Sequence, residues 1–254
     1  MEIENSDILH TLNCFNYGGN RMKKFRRLVS LIIVSALVLC MNITAFAAEG
    51  DSVGQISDMT ISEVVSYLES KGRIVDDSFV AICEEIVTLK EEGVSQTQIL
   101  SEIGNMPSTY SLYDTWGKLT DSEKALCITH PTEAIAIQSN ATEASSSTEE
   151  IYGYNGNGDT TDAYRHGYWN ALNARDVGET IAEAFATAHE DVSDEELNKV
   201  SNGFYGWEHR SMDLHNNEVG RSVVNWNDWF TSDETMSSRI LEQIEKGNMV
   251  ILVK

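Results

Sequence analysis

Apolar residues recur at helical spacing through most of the chain. The first such stretch opens with Thr60-Ile61-Ser62-Glu63, a capping box in which threonine and glutamate each satisfy a backbone donor at a helix start, and it continues through Val64, Val65 and Leu68. Asp76 or Asp77 caps a second helix, whose Phe79, Ile82, Cys83, Ile86 and Leu89 share one face up to Gly93. Ser95 with Gln98 opens a third, shorter helix ending near Gly104. Met106-Pro107-Ser108 breaks the period and sets a boundary. Beyond it, Thr120-Asp121-Ser122-Glu123 is another capping box, for a helix running to His130. Pro131 suits the first turn of the next, which carries Ile135 and Ile137.

The pattern then changes. Residues 139–150, SNATEASSSTEE, are polar and rich in Ser and Thr, and read as a fraying helix end or a loop. YGYNGNGD, 152–159, carries three glycines and is a loop. Three further helices are expected over 162–175, 179–190 and 211–225. The tail Met249-Val250-Ile251-Leu252-Val253 is too short and β-branched for a helix and suits a lone strand. The fold class is mainly α: a bundle-like helical domain over 111–254, a helical annex over 48–110, and one short C-terminal strand.

Residues 1–47 change the compartment. Met22-Lys23-Lys24-Phe25-Arg26-Arg27 is basic, Leu28 to Met41 is nearly unbroken apolar, and Ala45-Phe46-Ala47 offers the small residues a signal peptidase needs. Export with cleavage after Ala47 is expected, leaving no stable membrane span. Residues 1–21 have no signal-peptide character, and Met22 fits the true start. The whole chain has a formal charge of −22, and loss of residues 1–47 leaves −24. Such a surface repels phosphate backbones, so nucleic acid is not an expected partner; the annex helices are the expected site for a protein partner. Two cysteines remain, Cys83 and Cys127, free to pair or to stay as buried thiols.

Three polar patches interrupt the helices. In DAYRHGYWNA, Asp162, His166 and Asn170 fall one turn apart, beside a strip of Ala163, Gly167, Ala171 and Ala174 that lets a neighbouring helix come close. Asp162 can equally be an N-cap. His189-Glu190 ends the second helix, on an apolar face where a histidine commonly packs as core. In Met212-Asp213-Leu214-His215-Asn216-Asn217-Glu218-Val219-Gly220-Arg221, two amides and a glycine weaken a helix by propensity, a cost that points to hydrogen bonding, ligation or close packing. Ser211 can cap this helix, which would place Asp213 in its first turn.

These three motifs, in this order and spacing, resemble an uncharacterised bacterial domain found in exported proteins and at the ends of large wall-associated or toxin-like chains. The resemblance runs from about Trp116 to the C-terminus; Gly167 stands where alanine is expected. It implies a helical domain with a shared polar site and supplies no activity.

The chemistry is therefore read from the residues. His166, His189 and Asp213 suit a divalent ion, zinc first, with Glu190 as base and Asp162 orienting His166. Such a site fits a hydrolase of phosphoester, lipid or cell-envelope substrates. Without metal, Asp162 and His166 form an acid–base pair, with Arg165, Arg221, Asn170, Asn216 and Asn217 holding the substrate. Calcium held by Asn155, Asn157, Asp159 and Asp162 is a weaker fit, since the spacing breaks the full calcium-loop pattern. The non-catalytic alternative is a buried network that specifies helix packing in an exported binding module.

Overall fold

The computed structural model describes residues 56–105 and 112–253. The export signal and the break at 106–108 lie outside them. The described residues are mainly α and fall within one compact unit. None of their helices is long and apolar enough to cross a membrane.

Capping explains most helix starts. α1 (Ile61–Ser70) and the helix Asp121–Thr129 carry the expected Thr-Glu boxes, and Asp76 caps α2 (Asp77–Glu91). α3 (Gln96–Gly104) follows Ser95, and α4 (Leu112–Lys118) precedes α5, the Asp121–Thr129 helix. α6 runs unbroken from Pro131 to Tyr152 and ends at Gly153, whose φ of 82° is the left-handed cap that glycine adopts freely.

The stretch 139–150 is therefore helix throughout. One face of it turns inward: Ser139, Asn140 and Thr148 are fully buried together with Ala144, Ser139 Oγ donates to the Ile74 carbonyl (2.8 Å), and Asn140 Nδ2 donates to Asn173 Oδ1 (3.0 Å). On this inward face the polar side chains pack against neighbours, while Ser146, Glu149 and Glu150 face solvent.

One such neighbour is α7 (Thr160–Val177), the axis of the molecule. Of its residues from Thr161 to Val177, every one except Arg165 is buried. It packs against α6, α8 (Glu179–His189), α10 (Gly206–Ser222) and α11 (Asp233–Glu245). Between α8 and α10 lie the short α9 (Asp194–Leu197) and a two-residue antiparallel pair, β1 (Val200–Ser201) with β2 (Phe204–Tyr205).

α10 begins five residues before the expected start, with Tyr205 as cap and Glu208 accepting from its backbone N–H (2.8 Å). Asp213 consequently sits in the body of the helix, not in its first turn. α11 was not expected, although Ser232 caps it and Met236 and Ile240 give it a buried face.

The tail does not form a strand. Asn216 holds Val250 by both backbone groups, donating to its carbonyl (3.0 Å) and accepting from its N–H (2.9 Å), and Leu252 and Val253 both donate to the Gly158 carbonyl (2.9 and 2.8 Å). With these groups satisfied by a side chain and a loop, there is no strand partner to build a ladder.

The α7–α10 crossing is tightest at Gly220. A Cβ placed on Gly220 would lie 2.2 Å from the Gly167 carbonyl oxygen, so the two backbones touch. The contact sets residues 162–170 of one helix directly against 213–217 of the other.

Candidate metal centre

At the start of α7, Asp159 rather than Asp162 caps the helix, its Oδ1 accepting from Thr161 N (2.9 Å) and Asp162 N (3.2 Å). That frees Asp162 to turn inward. Its Oδ2 accepts from Gly158 N (2.6 Å) and its Oδ1 pairs with Arg165. One turn on, His166 directs Nε2 at Asp162 Oδ1 and Asp213 Oδ1, each 3.6 Å away. Ligand atoms of these three buried residues all lie within 4.8 Å of one another. Glu190, just past the end of α8, places Oε1 3.7 Å from His166 Nδ1.

The orientation of His166 follows from a chain of hydrogen bonds with one fixed end. Arg221 can only donate, and its Nη1 donates to Asn170 Oδ1 (2.9 Å). The Asn170 amide nitrogen must then face Asn217, donating to its Oδ1 (2.7 Å). That oxygen in turn accepts from His166 Nδ1 (3.2 Å). The proton is thereby placed on Nδ1, and the Nε2 lone pair points between the two carboxylates.

Electrostatics follow from burial. Loss of water lowers the His166 pKa to about 4 against the opposing pull of Asp162, so the ring is neutral. Burial, reinforced by Asp162 and Glu190, raises Asp213 to about 8. Burial also raises Glu190 to about 7, against the opposing charge of His189. Asp213 Oδ1 and Glu190 Oε1 are buried without a hydrogen-bond partner.

A second polar cluster, at the other end of α7, behaves differently. Arg175 Nε donates to Asp176 Oδ1 (2.8 Å) and its Nη1 to Asp233 Oδ1 (2.7 Å), while Arg73 Nε reaches Asp233 Oδ2 (2.7 Å). Asp176 also accepts from Tyr67 and Asn140 (3.1 and 3.2 Å). Every carboxylate oxygen there has a donor. It is a structural clamp, joining α1, α6, α7 and α11.

Of the residues expected from sequence, the fold brings together Asp162, His166, Asp213 and Glu190, with Asn170, Asn217, Arg165 and Arg221 around them. His189 stands beside this group, its ring centroid 6.2 Å from that of His166. Its Nδ1 is engaged by Glu123 Oε1 (2.9 Å), and half of its side chain is exposed. Burial opposes protonation of His189, but the bond to and charge of Glu123 outweigh it, and its pKa is raised. Asn216 serves the tail. Glu123 was not singled out, because its capping-box signature accounted for it. The loop donors are engaged locally, Asp159 in capping and Asn155 Nδ2 in a bond to the Ser145 carbonyl (3.2 Å). Cys83 and Cys127 are free, buried thiols, and burial pushes the pKa of both upward. Trp207, Trp226 and Trp229 are exposed.

A cleft of about 600 Å³ opens beside the group, with Arg165, His166, Trp169 and His189 among its lining residues. Residues 124–248 match the family model described as a domain of unknown function, DUF6973. That stretch of the chain is similar to this domain of unknown function. Comparison with curated proteins and with solved structures returns no match. The matched stretch holds Asp162, His166, Glu190 and Asp213, whereas α1 to α4 precede it, with Arg73, just after α1, bonded to Asp233 within it.

Proposed function

We propose that Asp162, His166 and Asp213 bind a divalent metal ion and that the protein is an exported hydrolase of esters or phosphoesters. One observation carries this reading. Buried carboxylate oxygens on Asp213 and Glu190 have no partner, beside a neutral imidazole whose free nitrogen faces two carboxylates at equal distance. Unpaired buried charge costs several kcal/mol, and a cation offsets it. Donors 3.6 Å apart can both lie about 2.1 Å from one ion. In the clamp around Arg175 every carboxylate oxygen has a donor and only donor nitrogens, on Arg73 and Asn173, go unpaired; at the His166 group it is carboxylate oxygens that lack a partner.

One imidazole with two carboxylates suits zinc or manganese. The ion supplies Lewis acidity toward the substrate oxygen. The chain's own residues do the rest. Asn217 fixes the His166 ring, Arg165 holds Asp162, and Glu190 accepts a proton from the attacking water and returns it to the leaving group. Export is supported by the basic Lys23–Arg27 segment, the apolar run after it and Ala45-Phe46-Ala47.

The test is thermal unfolding of chelator-treated protein with Zn²⁺, Mn²⁺, Mg²⁺ and Ca²⁺ in turn. At a hundredfold excess over Kd, the preferred ion adds about 2.7 kcal/mol, which is about 5–10 °C for a domain of this size. Asp213→Asn removes that rise, and chromogenic ester and phosphoester assays show ion-dependent turnover in the wild type alone. If none of the four ions shifts the wild-type transition, the metal reading fails.

A further inference from the structure

The cleft of about 600 Å³ is lined by two unlike sets of side chains. The polar part includes His166 and Arg165, beside the carboxylates. The remainder is walled by Phe79, Leu119, Ile137, Trp169 and Phe185, aliphatic and aromatic side chains contributed by five separate segments. Its floor is α6, where Ala134, Gln138, Ala141 and Ser145 succeed one another at helical spacing. The short side chains of Ala134, Ala141, Ala144 and Ser145 leave a trough on this face of α6, with Gln138 at its partly exposed edge. Lys118 and Glu149 also line the cleft. The volume lies within the ~300–1,000 Å³ of small-molecule sites.

We propose that this cleft holds an aliphatic acyl chain, so that the substrate is a long-chain acyl ester whose carbonyl lies beside His166. The reaction rests on the hydrolase reading above; the seating of the chain does not. The walls present apolar surface over most of their length, so the chain gains from leaving water. A formal charge of −22 disfavours anionic ligands at long range, so a neutral ester is preferred to a free carboxylate or a phosphate head. In the reaction, the water oxygen bonds to the carbonyl carbon while one of its protons passes to Glu190. The alkoxy C–O bond then breaks and the departing oxygen takes that proton. The product is an alcohol and a fatty acid that carries the second proton until it ionises in solvent.

The test separates the chain from the ion. Methyl esters of six, eight and ten carbons are titrated calorimetrically into chelator-treated protein, in which no turnover occurs. Burial of about 0.8 kcal/mol per methylene means that Kd falls roughly fourfold for each carbon added. Ala141→Trp and Gln138→Phe, on the trough, each weaken the ten-carbon ester at least tenfold while keeping the ion-induced rise in Tm. Gln138 is partly exposed, so its replacement tests the cleft even if the larger change at Ala141 prevents folding. Absence of saturable binding, affinity independent of chain length, or equal binding by wild type and Gln138→Phe overturns the acyl assignment, as would occur if a segment of the chain itself filled the cleft. None of those outcomes touches the metal reading, which stands or falls on the thermal shifts.

Discussion

Arg221 lies three hydrogen bonds away from the imidazole it controls. Because guanidinium cannot accept, it dictates which way Asn170 faces, Asn170 dictates Asn217, and Asn217 dictates the His166 tautomer. Arg221→Met is therefore expected to lower metal affinity about 10- to 100-fold, the usual effect of losing an outer partner, with little change in the chelated protein's Tm. Asn216→Ala is expected to do the reverse, destabilising the fold through the lost grip on Val250 while leaving metal affinity within about twofold; calorimetry and thermal unfolding on both variants decide it. Neighbours in sequence, these two amides serve unlike ends. Sequence could identify both as unusual in a helix but not separate them, since they sit about 100° apart around the axis and only packing decides what each one meets. His189 shows the same limit. Its apolar, Ala-rich surroundings pointed inward, yet Glu123, reached across a helix pair, holds it beside the group instead.

At the scale of elements, legibility followed local chemistry. Capping boxes, Pro131 and the glycine loop located most helix starts because the deciding groups lie within four residues of one another. The stretch 139–150 and the tail were misjudged because their partners are distant: Asn173 and Ile74 for α6, Asn216 and Gly158 for the tail. The strip of small residues on α7 was read correctly as a place of close approach, and its counterpart is Gly220. The two glycines are unequal. Gly220→Ala drives a methyl into the Gly167 carbonyl, whereas Gly167→Ala meets chiefly the flexible end of Met249, at 2.3 Å. Urea unfolding is expected to show a loss of roughly 1–3 kcal/mol at Gly167 and a larger one at Gly220, where backbone must move. Equal losses would mean that the crossing is not the tight point.

Across the whole molecule, paired acids fix the behaviour at low pH. Burial would raise the pKa of Asp233, but Arg73 and Arg175 outweigh it and hold the group below its ordinary value. Arg239, with Asn225 and Thr231, does the same for Asp228 against a smaller opposing burial. A carboxylate depressed in the folded state contributes stability that is complete above its unfolded pKa of about 4 and is lost as pH falls through the folded value. Arg239→Gln should therefore lower Tm at pH 7, and its gap to the wild type should narrow as pH falls below about 4 and close only in strong acid, below the folded value. Thermal unfolding as a function of pH checks it, and a difference that persists unchanged into acid would rule out this origin. None of this clamp was foreseen, because Arg73, Asp176 and Asp233 are ordinary polar residues until three distant segments meet.

The touching backbones at Gly167 and Gly220 have one more consequence. They act as a fulcrum: Asp162 and His166 ride on one arm, Asp213 and Asn217 on the other. A methyl wedge at Gly220 should thus detune ion coordination through a residue that contacts no ligand, and selection for a different ion could work by tilting these arms without exchanging a single donor.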